Sequence, residues 1–131
     1  MKEYRLNAPV ELTVAAEPGM MLVVRLTTAG VVTRAGLTIE AMDNLKIATE
    51  EACNCLIGQE NPPECISLKY ECRDGALYTV LSGLDMACES CDADEAELEI
   101  ARCILETLVD GVDFEMCDGR IRAIELRSAL V

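Results

Sequence analysis

The residues with most chemical capacity lie in the run Glu50-Glu51-Ala52-Cys53-Asn54-Cys55. On a helix, a glutamate followed one turn later by an amide sets a general base and a metal-ligand oxygen on one face. Glu50 stands in the i,i+4 relation to Asn54, and Glu51 in the same relation to Cys55. Glutamate is also a common surface helix former, so on an arbitrary helix the pair reads as two solvated side chains. The surrounding sequence has to decide between these readings.

Cysteine is the second source of chemistry. The chain has eight cysteines and no histidine, so it offers neither an imidazole base nor a histidine metal ligand. Cys53, Cys55, Cys65, Cys72, Cys103 and Cys117 fall in expected helices or strands, where free cysteine behaves as a small buried apolar residue. Cys88 and Cys91 form a lone C-x-x-C, which keeps a cysteine-based metal or redox-sensing module open as an alternative function. Structural zinc usually needs four ligands, and no second such pair is present. Reduced, metal-free thiols are therefore expected.

Charge narrows the partners. Eleven Lys and Arg face 24 Asp and Glu, for a formal net charge of −13. A nucleic-acid backbone needs a basic face, so nucleic acid is not an expected partner. A protein with basic surface suits the chain better. No apolar run reaches the roughly 18 residues that span a bilayer, and no basic segment leads into an apolar one as in a secretion signal. A cytoplasmic protein with no membrane partner is expected. The 131 residues are 51% hydrophobic and 27% charged, which fits one folded domain over 1–131.

The elements that must position Glu50 to Cys55 can be read from periodicity and punctuation. Tyr4 to Leu6 and Val10 to Val14 look like two short strands broken at Pro9. Pro18 opens a helix that runs through Val24, Leu26, Val31 and Val32 and stops near Gly36. Thr38 caps the next helix, with Leu37 and Met42 at the staple positions. Met42, Leu45, Ala48, Ala52 and Leu56 form its apolar stripe, and Gly58 with Asn61-Pro62-Pro63 ends it. Ile66, Leu68, Tyr70 and Cys72 alternate along a strand, and Asp74-Gly75 turns it into a partner strand over Ala76 to Ser82. Asp92 or Asp94 caps a third helix that carries Leu98, Ile100, Ile104, Leu105 and Leu108 and ends at Gly111. Val112 to Cys117 and Arg120 to Arg127 form a closing hairpin around Asp118-Gly119. Helices on one face of a mostly antiparallel sheet give a two-layer α+β sandwich with three helices.

Two stretches carry a family resemblance. Lys46-Ile47-Ala48-Thr49-Glu50-Glu51-Ala52-Cys53-Asn54-Cys55-Leu56 and Leu105-Glu106-Thr107-Leu108-Val109-Asp110 resemble the bacterial anti-sigma factor/serine-protein kinase family of histidine-kinase-like (GHKL) ATPases. The resemblance implies a Bergerat-type fold with an ATP site between helices and sheet. That site would hold a base glutamate, a magnesium-binding asparagine, an adenine-reading aspartate and a glycine-rich lid.

Each part is altered in this chain. The flanking residues place Glu51 at the base position, the candidate catalytic residue. The asparagine position then falls on Cys55, and Asn54 lies one residue early, about 100° around the helix. Pairing Glu50 with Asn54 restores the spacing but conflicts with the flanks. A thiol is a poor ligand for magnesium, which demands hard oxygen donors. The adenine-site pattern falls on Gly83-Leu84-Asp85, so Gly83 replaces the aspartate and Asp85 replaces a glycine. The lid position reads Glu97-Leu98-Glu99-Ile100-Ala101 behind Asp92, Asp94 and Glu95, carboxylates that suit a helix N-terminus but repel a triphosphate.

Asn54, Cys55, Gly83 and Asp85 thus read as a vestigial nucleotide site, with no cofactor expected and ATP with Mg2+ only if the site still works. The expected function is anti-sigma-factor-like protein binding in transcriptional partner switching. The partner would be a sigma factor or an anti-anti-sigma protein. Arg25 is the candidate partner contact on the first helix, and a homodimer through the N-terminal strands and first helix is implied by the resemblance. An active ATP-dependent serine/threonine protein kinase is the enzymatic alternative.

Overall fold

The computed structural model describes residues 6–84 and 94–130. Its sheet has five strands: β1 (Val10–Ala15), β2 (Cys65–Arg73), β3 (Ala76–Leu84), β4 (Gly111–Cys117) and β5 (Arg120–Ala129). They lie in the order β1-β2-β3-β5-β4, and every pairing is antiparallel. Three helices, α1 (Met21–Ala35), α2 (Ile39–Ile57) and α3 (Glu95–Leu108), pack on this sheet, with a 3-10 turn at Pro18–Met20 leading into α1. The two-layer α+β architecture read from the sequence is the one observed.

The alternation of apolar residues sets the register. Leu12, Leu68, Leu81, Ile124 and Phe114 stand opposite one another in an apolar row across all five strands. A one-residue slip would send that row to the solvated face. That face is instead held by exposed ion pairs in which Arg73 meets Glu125 at 3.0 Å and Lys69 meets Glu71 at 3.8 Å. Both hairpins turn on Asp-Gly with positive φ, 49° and 75° at Asp74-Gly75 and 51° and 78° at Asp118-Gly119. Two consecutive left-handed residues make the turn whose twist matches antiparallel strands.

Capping fixes the helices. Gly36, at φ 80°, ends α1, and its N–H donates back to Val32 and Thr33 carbonyls. Thr38 Oγ1 accepts the Ala41 N–H at 3.1 Å to start α2. Asp94 Oδ1 accepts the Glu97 N–H at 3.1 Å to start α3. The inner side of α1 is tied to the sheet by a buried polar chain. Thr28 Oγ1 donates to the Val24 carbonyl at 2.8 Å, which leaves the Tyr70 hydroxyl to donate to Thr28 at 2.7 Å.

Several sequence expectations need correction. α3 stops at Leu108, where Val109 turns extended, and Gly111 opens β4 rather than ending the helix. Leu6 lies outside any strand, and the rest of the Tyr4–Leu6 segment lies outside the described residues. Of the six cysteines expected to be buried, only Cys53 is; Cys103 and Cys117 are exposed, and Cys55, Cys65 and Cys72 are half-buried. Strand and helix membership predicts burial only on the inward face, which Cys65 and Cys103 miss, while Cys55 and Cys72 pack against the core from its margin.

Candidate functional site

The site is a cleft between the C-terminal half of α2 and the first turns of α3, floored by the start of β5. Its volume is about 400 Å³. From α2 it receives Glu51, Asn54 and Cys55, three of the candidate residues. Helical geometry explains the selection: positions 51, 54, 55 and 58 share one face. Glu50 lies one step around the helix, where it accepts the Arg25 guanidinium of α1 at 3.2 Å. The two neighbouring glutamates therefore part company, Glu51 into the cleft and Glu50 toward α1.

The other candidates are placed elsewhere. Gly83 sits on β3 opposite Ile66 and is not among the residues lining the cleft. Asp85, Cys88 and Cys91 lie outside the described residues. Arg25 is exposed on α1, paired with Glu50, and is not among the residues lining the cleft. Among the described residues no group of three potential metal ligands is gathered.

α3 forms the opposite wall. Ala101 and Leu105 face the core, whereas Ile100 and Ile104 are 62% and 41% exposed and line the cleft together with Leu98. The apolar pattern of α3 in the sequence thus serves two surfaces, and periodicity alone does not separate them. The floor depends on Gln59, which sequence reading passed over as part of a helix-ending loop. Its side-chain oxygen accepts the Ile121 N–H at 2.7 Å, and its nitrogen donates to the Ile121 carbonyl at 3.1 Å. The amide thereby imitates a strand partner and joins the end of α2 to β5. Nothing in the sequence distinguishes such a glutamine from a solvated one.

Electrostatically the cleft is negative. Among the described residues, Glu51, Glu60, Asp94 and Glu97 line it, and no lysine or arginine does. The Cys55 thiol is pushed up to about 11, first by burial and then by the negative charges of Glu51 and Glu97. Cys53, behind it in the core, is pushed up to about 12 by burial, then by Glu50 and Cys55.

A nucleoside triphosphate with magnesium does not fit the described lining. Glu51 offers a carboxylate that can act as a base, but the thiol of Cys55 stands one turn on, where a hard oxygen donor is needed. The mouth at the N-terminus of α3 holds Asp94 and Glu97, and Asp94 already occupies one of the free N–H groups a phosphate would take.

No family profile matches the sequence. The chain is 46% identical over 77 residues to the serine-protein kinase RsbW of Bacillus velezensis, covering 56% of this chain and 48% of that relative. It is 43% identical over 44 residues to RsbW of Bacillus subtilis, covering 34% and 28% of the two. The chain thus matches about half the length of one curated relative and less of the other. In fold it aligns with a crystal structure of the RsbU and RsbW domains of Rv1364c from Mycobacterium tuberculosis. The TM-score is 0.71 over 95% of this chain and 33% of that one, at 13% identity, a likeness of fold alone. The resemblance to the anti-sigma factor/serine kinase family is therefore present in sequence and in fold.

Proposed function

We propose that this relative of the RsbW serine-protein kinases is an anti-sigma-factor-like regulatory domain that acts by holding a protein, with its nucleotide site lost or much weakened. The observation that carries the binding role is the outer surface of α1. Leu22 and Leu26, one turn apart, are 58% and 65% exposed, with Val23 beside them and Arg25 between. α1 is also apolar on its inner side, where Met21, Val24, Val31 and Val32 are buried. A helix apolar on both sides is normally covered on both sides. The partner would be a sigma factor or an anti-anti-sigma protein with some basic surface to meet the −13 chain.

Strand β1, at one end of the strand order, supports a homodimer. Cytoplasmic placement accords with this reading; among the described residues no helix is long and apolar enough to cross a membrane. A working ATP-dependent serine kinase is the second reading, favoured by the position of Glu51 in the cleft and by the name of the relatives.

Two measurements test the proposal. Capture of sigma and anti-anti-sigma proteins from the native host, with and without ATP, should succeed without nucleotide and fail for Leu26→Asp. Capture that requires ATP would favour the kinase, and no capture in either condition removes the proposal. Titration calorimetry with ATP and magnesium should show weak or no binding. Low-micromolar, magnesium-dependent binding would mean the site is intact.

A further inference from the structure

We infer that the α2–α3 cleft is a docking site for a cationic aliphatic side chain, a lysine or arginine presented beside an apolar residue by a partner protein. The inference rests on the protein-binding reading and specifies a second contact surface for it. A cleft of about 400 Å³ lies within the range of ligand-sized pockets. Its α3 wall is aliphatic: Ile100 and Ile104 point into it while remaining 62% and 41% exposed. A solvated helix facing open water has no use for two such residues one turn apart, and a covered one does.

Its acids are equally unbalanced. Among the described residues, the ion pairs engage Glu50, Asp43, Glu71 and Glu125, and none engages Glu51, Glu60 or Glu97. Carboxylates beside an apolar wall are poor hosts for phosphate and good hosts for a cation. Lysine and arginine match the combination, because an aliphatic stem packs on the wall while the charged head stays among the carboxylates. The Cys55 thiol is raised first by burial and then by Glu51 and Glu97, which thus act together on a point within the cleft.

The test is calorimetric titration of the full chain with a capped peptide of alternating leucine and lysine. Three further probes are the same peptide with glutamate for lysine, the same with glycine for leucine, and free spermidine. Only the leucine–lysine peptide should bind well, at one site. Glu97→Gln should weaken it roughly threefold, and Ile104→Ser roughly tenfold. Glu40→Gln, which removes an exposed charge at the opposite end of α2, should leave it unchanged. Unchanged melting curves would show that the variants fold.

Equal losses in Glu97→Gln and Glu40→Gln would mean diffuse attraction to an acidic chain and overturn the inference. So would insensitivity to Ile104→Ser, or spermidine binding as tightly as the peptide. Failure of the wider functional reading is distinguishable. A chain that binds the peptide in the cleft but captures no partner contradicts the function alone. One that captures its partner undiminished with Glu97→Gln and Ile104→Ser contradicts the docking site alone.

Discussion

The tie between α1 and the sheet yields an asymmetric pair of mutants. Tyr70 and Thr28 are both fully buried, and the Tyr70 hydroxyl donates to Thr28 Oγ1 at 2.7 Å. In Tyr70→Phe the hydroxyl disappears, while Thr28 keeps its bond to the Val24 carbonyl at 2.8 Å. Only an ordinary hydrogen bond is lost, about 0.5–1.5 kcal/mol. In Thr28→Val the shape is kept but the Tyr70 hydroxyl is left buried without its acceptor, which costs about 1–3 kcal/mol. The double variant removes both polar groups, so its loss should fall short of the sum by about 1 kcal/mol. Urea unfolding followed by circular dichroism reads all three, provided the slopes agree.

A pH series adds a second check. Burial pushes the Tyr70 hydroxyl from 10.0 up to about 12. The folded state thus holds this proton more tightly than the unfolded chain. Its contribution is fully present below about pH 10 and is lost as pH rises toward 12. Tyr70→Phe should flatten that alkaline decline. Thr28→Val costing no more than Tyr70→Phe, or strict additivity in the double variant, would refute the assigned donor and acceptor.

Other expectations follow from the same geometry. At pH 8 the Cys55 thiol, raised from 9.0 to about 11, should alkylate about 100-fold more slowly than an unperturbed thiol, read by mass spectrometry of labelled peptides. Gln59→Ala should destabilise the fold by about 1–3 kcal/mol in urea unfolding, because both polar groups of Ile121 lose their partner. Arg25→Glu breaks an exposed pair with Glu50 and should cost less than about 1 kcal/mol in stability. It should nonetheless reduce partner capture more than Arg73→Glu, whose side chain lies on the sheet over Tyr78. Light scattering should give a dimer mass, and a monomer at high concentration would remove the dimer.

The fold was largely legible because its determinants are local and redundant. Asp-Gly turns, Thr38 as a cap, and strict alternation in β2 each act within a few residues, whereas the choice between Asp92 and Asp94 as the cap of α3 is made by the structure, for Asp94. Boundaries that depend on tertiary pairing were less legible. Gly111 reads as a helix stop, yet the Asp110 N–H donates to the Arg127 carbonyl at 2.9 Å, so the chain is already joining β5 there. The cysteines were misjudged for a related reason. Cys103 lies within the helix, but on the side of α3 away from buried Ala101 and Leu105, where it is exposed.

The cleft shows where sequence logic reaches its limit. One step of 100° around α2 separates Glu50 from Glu51, and flanking text alone assigned the second to the site. The third dimension adds that Glu50 is already engaged by Arg25, so the two carboxylates face different surroundings. It adds also that the α3 stripe is split, with Leu105 in the core and Ile104 beside the acids. A glycine lid replaced by Glu97 and Ile100 reads, in sequence, only as the loss of a phosphate site. Placed against Glu51 and Cys55, the same residues form a wall with aliphatic and anionic parts, and such a wall has a preference of its own. In the reading proposed above, the residues that disfavour a triphosphate are the ones that favour its electrostatic opposite.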